Sequence, residues 1–360
     1  MSSLRENDIL LITLHITLVA VLIMLPLPLR AQTFSVIHNF SYSGGFWPFS
    51  GVTRDTAGNL WGTTSSSIQG AGAVYELKSF HGSWLYIPLF YFDTTDGFSP
   101  WSRVVFGPGG ALYGTTLTGG MGCYPNNGCG LVYSLRPPST FCAALSCVWT
   151  ETIMYEFTGG QDGADPIYGS VVFDNDGNLY DTASAGGTAG RGVVFELVRS
   201  NGGWTEQVLY NFQGGSDGWQ PVGGMVFDSA GNLYGTTIAG GTLDCGTIFE
   251  LSPNGSGWTH KVLYSFLCGS DGNGPIATPI LDQYGNLYGS TFYGGAGNGG
   301  VVWELSPESN GNWSFTALYE LAQGPRGGRG PIAASLWTVR AISTARHISM
   351  VLMGRATSSN

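Results

Sequence analysis

Four glutamates recur at matching positions along the chain. They are Glu76, Glu196, Glu250 and Glu304. Several carboxylates gathered around one axis could form a catalytic or metal-binding ring. A residue that returns in each unit of a repeat, however, is expected to serve the repeat itself, for example by bonding a neighbouring unit. We therefore predict a structural role for these glutamates and assign no catalytic or metal-ligating residue.

Other polar candidates stand alone. The segment Asp174–Asn178 resembles an oxygen-rich calcium loop, but an Asp at the start of a tight turn usually accepts backbone N–H bonds. We therefore expect no cofactor, with calcium as the alternative. His38, His81 and His260 have no partner motif that would indicate a Ser-His-Asp site. Asp181 replaces a repeated glycine; such departures can mark function, but drift is the favoured explanation.

Five tryptophans each begin the last strand-like run of a unit. They are Trp84, Trp149, Trp204, Trp258 and Trp313. Exposed Trp side chains could stack on sugars. Because the position repeats, we expect these rings to pack between units instead.

The chain has six cysteines, all after the first 31 residues. An even number in an exported chain indicates disulfides. Cys123 with Cys129 and Cys142 with Cys147 are the simplest pairs because each brackets a short loop, which leaves Cys245 with Cys268. A metal site is disfavoured because the spacing is not that of clustered thiolate ligands.

These residues lie on a repeat whose idealised phrase is Asp-x-x-Gly-Asn-Leu-Tyr-Gly-Thr-Thr. Copies begin at Asp55, Asp174, Asp228 and Asp282, with a degraded copy from Gly107. Each unit has four short runs rich in β-branched and aromatic residues and bounded by Gly, Asn, Asp or Pro. This pattern predicts four antiparallel strands per unit.

Four strands repeated about every 54 residues predict an all-β fold, a β-propeller of four-stranded antiparallel blades, with five full blades plus an incomplete sixth. The expected blades span about residues 41–92, 100–157, 166–212, 221–266 and 275–321. Gly/Asp-rich loops would join each outer strand to the next inner strand. A β-solenoid is the alternative, although its rungs are usually shorter.

The two ends of the chain differ from the repeats. Residues 1–31 combine Arg5, an apolar run and a small-residue cleavage point, which predicts a signal peptide; an uncleaved membrane anchor is the alternative. Residues 36–40 match a fourth strand and could complete the last blade, pinning the chain ends together.

The C-terminal segment 337–360 lacks the repeat phrase, although Pro331 to Thr338 keeps the seven-residue interval that joins Pro275 to Asp282. Codons read one base earlier could encode the phrase, so we interpret this tail as a frameshifted sixth repeat. A genuinely divergent tail is the alternative. A truncated sixth blade would expose sheet edges and favour aggregation.

Composition bounds the function classes. The chain has 57 glycines among 360 residues, 13% aromatic residues and 11% charged residues, which is typical of short strands joined by tight turns. The formal net charge is −10, so the basic surface that nucleic-acid binding requires is missing. No second long apolar run follows the signal, and we expect a monomer without a transmembrane segment in the mature chain.

The phrases Gly-Asn-Leu-Tyr-Gly-Thr-Thr, Val-Phe-Glu-Leu (residues 194–197) and Val-Leu-Tyr-x-Phe resemble those of the bacterial GloVer tandem-repeat proteins, also called choice-of-anchor tandem-repeat proteins. The resemblance covers residues 33–336. It implies export and a surface role, and supplies no catalytic residues. We expect a secreted or cell-surface binding scaffold for a protein or glycan. The alternatives are a carbohydrate-active hydrolase or lyase, and a nonfunctional product of a frameshifted gene.

Overall fold

The computed structural model describes residues 36–41, 45–67, 70–123, 128–138, 149–200, 203–255 and 257–322. The predicted signal peptide, Cys142, Cys147 and the aberrant tail lie outside these residues. The chain divides into two compact units, Met1–Asn39 and Phe40–Asn360. In the first unit, residues 36–39 carry no strand.

The second unit contains five antiparallel sheets, which form the five predicted blades. Blade 1 comprises β1 (Thr53–Arg54), β2 (Leu60–Thr64), β3 (Ala73–Phe80) and β4 (Ser83–Tyr91). Blade 2 comprises β5 (Val105–Phe106), β6 (Leu112–Thr116), β7 (Leu131–Arg136) and β8 (Thr150–Glu156). Blade 3 comprises β9 (Val172–Phe173), β10 (Leu179–Ala183), β11 (Val193–Ser200) and β12 (Gly203–Asn211). Blade 4 comprises β13 (Trp219–Pro221), β14 (Val226–Phe227), β15 (Leu233–Ala239), β16 (Thr247–Asn254) and β17 (Gly257–Ser265). Blade 5 comprises β18 (Asn273–Pro275), β19 (Ile280–Leu281), β20 (Leu287–Tyr293), β21 (Asn298–Pro307) and β22 (Trp313–Ala322).

The innermost strand of each blade is interrupted. In blade 4, both β13 and β14 pair with β15, and residues 222–225 separate them. Blade 5 repeats this arrangement with β18 and β19. In blades 1, 2 and 3 the first piece is a single bridge, at Phe46, Phe98 and Ala164 respectively. The interruption frees a short segment of each blade from the sheet, and these segments line the propeller axis.

The repeated Asp of the phrase builds the hairpin between the first two strands. In blade 4, Asp228 Oδ1 accepts bonds from the backbone N–H groups of Ala230 and Asn232 at 2.8 and 2.9 Å. Its Oδ2 accepts the side-chain amide of Asn232 and the hydroxyl of Tyr234. Burial raises the pKa of Asp228, but these hydrogen bonds outweigh it and lower the pKa overall. The phrase is therefore a self-contained turn.

Hydrophobic cores lie between consecutive blades, because a single sheet cannot bury both of its faces. A phenylalanine that follows each outer strand inserts against an aromatic ring on the third strand of the next blade. The ring centroids are 4.9 Å apart for Phe92–Tyr133, 5.0 Å for Phe157–Phe195, 5.2 Å for Phe212–Phe249 and 6.2 Å for Phe266–Trp303. All four phenylalanines are fully buried.

The repeated glycine of the phrase makes room for the same aromatic ring. A Cβ atom added to Gly235 would lie 2.5 Å from the ring of Phe249, and one added to Gly289 would lie 2.3 Å from Trp303. Real Cβ atoms do not approach neighbours this closely, so a larger residue would displace the ring. The glycine is therefore required by close packing within the blade.

Phe40 occupies the place of such a phenylalanine on blade 1. Its ring centroid lies 5.1 Å from that of Tyr75 and 6.0 Å from that of Tyr86. Residues 36–40, which match a fourth strand, nevertheless form no strand in the structure. A fourth strand needs a third strand as its pairing partner. The predicted sixth blade would begin beyond residue 322, outside the described residues.

The structure confirms the predicted all-β propeller for five blades. Neighbouring inner segments bond to one another around the axis, as from Arg103 N–H to the Gly169 carbonyl and from Gly224 N–H to Thr278 Oγ1. A linear β-solenoid would stack its strands in parallel and does not account for these antiparallel sheets. Within the described ranges, the protein has no helix long and apolar enough to cross a membrane.

Candidate binding site on the central face

A tight turn precedes the axial segment of every blade. The residue before the proline has a positive φ in each case, at Trp47, Ser99, Asp165, Gln220 and Gly274. The backbone N–H groups of Ser99, Asp165 and Gln220 donate to carbonyls of the preceding blade at 2.8–2.9 Å. Left-handed backbone is unusual for these residue types, so the surrounding bonds hold the turn in place. The turns hold in place the side chains that surround the entrance to the propeller axis. We call the surface formed by these side chains the central face.

Four aromatic side chains form a continuous strip across the central face of blades 1–3. This aromatic strip comprises Trp47, Phe49, Trp101 and Tyr168. Trp47 stacks on Phe49 at 6.3 Å, Phe49 meets Trp101 edge to face at 5.1 Å, and Trp101 stacks on Tyr168 at 5.3 Å. Trp47 is 48% exposed and the other three are half-buried. Solvent therefore reaches a run of ring faces held in fixed relative positions.

Tyr168 enters the strip because blade 3 has one extra residue in its axial segment. Pro166 and Asp174 are eight positions apart, whereas Pro221 and Asp228 are seven apart. Tyr168 has a φ of 58°, a left-handed conformation that is uncommon for a tyrosine. The insertion turns the Tyr168 ring onto Trp101.

Below the strip lies a layer of five axial residues, one from each blade. Counted back from the end of the segment, they are Gly51, Arg103, Ser170, Gly224 and Thr278. The Arg103 guanidinium donates from Nη2 to Ser170 Oγ at 3.2 Å, and burial lowers its pKa. A Cβ on Gly224 would lie 2.4 Å from Ser170 N, so the layer is crowded on that side. Arg103 is the one charged residue of this layer.

Asp181 compensates for the insertion in blade 3. In blade 2, Ser102 Oγ accepts the backbone N–H of Thr115 at 2.8 Å, but blade 3 has Gly169 in the place of Ser102. Asp181 Oδ1 instead accepts the N–H of Thr182 at 2.9 Å. Its side chain fills the space at Gly169, where an added Cβ would lie 2.5 Å from Oδ1. Drift is therefore not needed to explain the residue.

The Asp181 carboxyl is in an unfavourable environment nonetheless. The residue is 1% exposed, and its Oδ2 atom has no hydrogen-bond partner. Burial raises the pKa of Asp181 to about 7, and the bond from Thr182 offsets this only in part. A carboxyl sealed from solvent can stabilise a turn, but it cannot reach a substrate on the central face.

The recurring glutamates are not gathered at the axis. Each lies on a third strand, opposite an aromatic residue of the second strand of its own blade, for instance Glu196 opposite Tyr180. Tyr180 donates to Glu196 Oε1 at 2.6 Å, while Ser252 and Ser306 donate to Glu250 and Glu304. These bonds lie within single blades, so each of these glutamates supports its own blade, and in the part of the chain that the structure describes no bond from them to a neighbouring blade is seen.

The Asp174 loop is the same self-contained turn as in blades 1, 4 and 5. Asp174 Oδ1 accepts the N–H groups of Asp176 and Asn178, and Oδ2 accepts the Asn178 amide and the Tyr180 hydroxyl. Donors therefore occupy both carboxylate oxygens. Among the described residues, no group of three His, Cys, Asp or Glu side chains is arranged to hold a metal ion.

His260 packs in an interface between blades. Its Nδ1 lies 3.2 Å from Asp217 Oδ1, and its ring stacks on Tyr210 at 4.3 Å. Burial lowers the pKa of His260, against the opposing effect of Asp217. Tyr210 also donates to Asp217 at 2.5 Å. These neighbours include no Ser or Cys nucleophile, and the histidine acts as a packed neutral ring.

The position of His260 on the fourth strand carries a different residue in most blades. The series is Tyr86, Glu151, Glu206, His260 and Phe315. Burial, followed by the nearby Asp96 and Asp93, raises the pKa of Glu151 to about 8. Burial, followed by Asp162, raises the pKa of Glu206 to about 7. Blades 2 and 3 thus hold acid pairs at interfaces that blades 4 and 5 fill with stacked rings.

Four of the five fourth-strand tryptophans pack against a neighbouring blade. Trp149 packs on Trp61 at 5.6 Å, and Trp258 and Trp313 contact Tyr180 and Tyr234 of the preceding blades. Trp204 packs in the core between blades 2 and 3. Trp84 is half-buried on β4.

Two disulfides are formed among the described residues, Cys123–Cys129 and Cys245–Cys268. Both join segments next to the turns that lead into an axial segment. Asp165 N–H donates to the Cys129 carbonyl and Gly274 N–H to the Cys245 carbonyl. The disulfides therefore brace the central face on blades 2 and 4.

Sequence reasoning missed the aromatic strip and Arg103. A signal was present after the repeated prolines, where blades 1 and 2 have Phe49 and Trp101 but blades 4 and 5 have Val222 and Ile276. The eight-residue interval in blade 3 was a second signal. Both signals are departures from the repeat. Most of the residues considered for chemistry in the sequence, such as the glutamates and tryptophans, are instead regular parts of the repeat.

Comparison with known proteins gives distant structural likenesses and one family match. Among solved structures, the chain is similar to a putative oxidoreductase (glucose dehydrogenase) from Thermus thermophilus, with 14% identity, TM-score 0.48, and 80% and 90% of the two chains covered. It is similar to a putative 6-phosphogluconolactonase from Bacteroides uniformis, with 16% identity, TM-score 0.46, and 78% and 76% covered. A GH43 endo-arabinanase from Bacillus licheniformis gives 12% identity, TM-score 0.41, and 76% and 98% covered. Likenesses this distant carry no argument about activity.

No curated protein matches the chain. A family model described as the Gloeobacter/Verrucomicrobia repeat matches residues 25–202 and 125–338, which include all five blades. The match confirms the resemblance drawn from the repeated phrases. The chain belongs to the Gloeobacter/Verrucomicrobia repeat family.

Proposed function

We propose that this protein is an exported binding scaffold that holds a carbohydrate on the central face of its propeller. The aromatic strip carries this proposal. It is partly exposed, it crosses three blades, and it is built from residues that the repeat does not require. Rings needed for packing between blades, such as Trp149 and Phe212, are buried instead.

The strip suits sugars because the apolar faces of pyranose rings stack on aromatic side chains, and large rings bury much area at low entropic cost. The turns before Pro48 and Pro100 hold the rings in place without a ligand. A preformed platform loses little freedom on binding.

The proposed location outside the cell is supported by the disulfides, which persist in oxidising compartments. The predicted signal peptide gives the route of export. The acidic net charge of −10 keeps molecules of the protein apart from one another in solution.

The hydrolase alternative is weaker because glycoside hydrolysis needs two carboxyl groups facing the bond that breaks. Asp181 departs from the repeat and has a raised pKa, but it is 1% exposed and bonded to Thr182. Asp165 is half-buried beside the strip and would lack a second acid among its described neighbours. The arrangement favours binding without turnover.

The test is a glycan array probed with the full chain, followed by calorimetry on the glycans that bind. We expect Trp47→Ala and Trp101→Ala each to weaken binding about tenfold, the loss expected from removing one stacking ring. Tyr284→Ala is the matched control, because Tyr284 is 72% exposed on a turn of blade 5. Equal affinity in all three variants, or no glycan bound, would refute the proposal. Release of reducing sugar from a bound glycan would favour the hydrolase.

A further inference from the structure

Arg103 is a half-buried cation whose charge has no counter-ion on the axis. Its side chain donates to the neutral hydroxyl of Ser170 at 3.2 Å. Across the described residues, no carboxylate oxygen lies within 4.0 Å of the guanidinium. Charges withdrawn from water in proteins are normally paired, because desolvation of an isolated charge is costly. An unpaired guanidinium in the axial layer is therefore a feature to be explained.

Two acidic residues of blade 3, Asp181 and Asp165, lie in or beside the elements next to Arg103, and neither is directed at it. Asp181 Oδ1 accepts the N–H of Thr182 and its side chain fills the space at Gly169. Asp165 lies at the turn before the segment that bonds Arg103. Burial raises the pKa of both carboxyls, whereas a neighbouring guanidinium would hold the pKa of either one down. Neither acid serves as the partner of Arg103.

Arg103 and Ser170 lie on the same two axial segments as Trp101 and Tyr168, the last two rings of the aromatic strip. Arg103 follows Trp101 by two residues, and its bonding partner Ser170 follows Tyr168 by two. Trp101 and Tyr168 stack at 5.3 Å, and the backbone N–H of Arg103 donates to the carbonyl of Gly169, which follows Tyr168. The two axial segments thus present a pair of rings and, one layer deeper, a half-buried cation.

We propose that Arg103 binds the carboxylate of an acidic saccharide whose ring is seated on Trp101 and Tyr168. The guanidinium fork matches a carboxylate in two parallel hydrogen bonds, and the low polarity around it strengthens the pair. This inference rests on the proposed carbohydrate-binding function and names its ligand class, the uronic acid saccharides. A neutral sugar would leave the cation unpaired and so gain less from the same site.

The first experiment varies the saccharide and uses the unaltered full chain. Calorimetry compares tetragalacturonate with its fully methyl-esterified form, which keeps the sugar rings and removes the charges. We expect at least tenfold tighter binding of the acid. Equal affinity for the two forms would overturn the assignment of Arg103 while leaving carbohydrate binding intact. Failure to bind either form, with neutral glycans still bound on the array, would overturn it in the same way.

The second experiment varies the protein. We expect Arg103→Gln to reduce affinity for tetragalacturonate at least tenfold and to leave binding of the methyl ester unchanged, with Arg103→Lys intermediate because it keeps charge but loses the fork. Arg54→Gln removes the same charge from an exposed position of blade 1 and should have no effect. Equal loss in both variants would show a general charge effect and contradict the proposal. If Arg103→Gln does not fold, the comparison of acid and ester still decides.

Discussion

The first three blades and the last two blades differ at the axis although they share one fold. Blades 4 and 5 follow the repeat, with aliphatic Val222 and Ile276 at the central face and glycines at 235 and 289. The corresponding parts of blades 1–3 carry the aromatic strip, Arg103 and Asp181. Blades 4 and 5 show which residues the fold requires. The residues by which blades 1–3 differ from them are therefore not required by the fold.

At the interfaces between blades, blades 2 and 3 differ from blades 4 and 5. Phe315 stacks on Tyr264 at 4.4 Å in blade 5, and His260 stacks on Tyr210 at 4.3 Å in blade 4. In blades 2 and 3 the corresponding residues are Glu151 and Glu206, each with an Oε1 atom that has no hydrogen-bond partner. Acids at these positions are costly to bury at neutral pH. The interfaces with Glu151 and Glu206 are therefore less favourable at neutral pH than those with His260 and Phe315, and they lie in the part of the propeller that carries the candidate site.

The largest gain in stability is expected from Asp181→Asn. The folded pKa of Asp181 is about 7, above that of an unfolded Asp, so its ionisation destabilises the protein as the pH rises from about 4 to 7. Asn keeps an acceptor for Thr182 and carries no charge. Each pKa unit is worth about 1.4 kcal/mol, and we expect a gain of about 1–3 kcal/mol at pH 8 that vanishes at pH 4.

The measurement is thermal melting of both proteins across this pH range. The matched control is Gly235→Asp, which places the same residue in blade 4, where the axial segment has no insertion. Because the added Cβ would lie 2.5 Å from Phe249, we expect severe destabilisation of about 3 kcal/mol or more. A tolerated Asp at 235, or an Asn at 181 with no pH-dependent gain, would break the contrast between the blades.

A smaller effect is expected from Glu206→Gln. The folded pKa of Glu206 is raised to about 7 by burial and by Asp162, so its ionisation also costs stability above the unfolded value near 4.3. We expect the variant to melt at a higher temperature than the parent at pH 8, and at the same temperature at pH 4. Glu308→Gln, at an exposed position of blade 5, serves as control. A gain at pH 8 that persists at pH 4 would have a cause other than charge.

The turns and strands of the blades could be predicted from the sequence because each repeat contains the same types of turn and strand residues. Asp228, Gly231 and Asn232 specify a turn, and the interval between repeats specifies a blade. The candidate site could not be found this way. The aromatic strip and Arg103 depend on which axial segments become neighbours, and that is set by the packing of blades rather than by spacing along the chain. Asp181 was noticed as an exception, but its role required knowing that Gly169 lies beside it.

The smallest effect is expected from His260→Phe, which gives blade 4 the interface of blade 5. Burial lowers the folded pKa of His260, so the unfolded chain binds a proton more readily than the folded protein does. The folded protein therefore loses stability as the pH falls below about 6.5. Asp217 faces the ring and keeps its bonds from Tyr210 and the Gln213 N–H in the variant. At pH 8 we expect a change within about 1 kcal/mol. At pH 5 the variant should gain on the parent, the opposite direction to Asp181→Asn and Glu206→Gln, whose advantage shrinks with acid. Melting curves of the three variants at pH 5 and pH 8 measure this reversal. If the advantage of all three variants over the parent changed in the same direction between pH 8 and pH 5, the interfaces in the two parts of the propeller would respond to acid with the same sign. The contrast drawn between blades 2 and 3 and blades 4 and 5 would then be wrong.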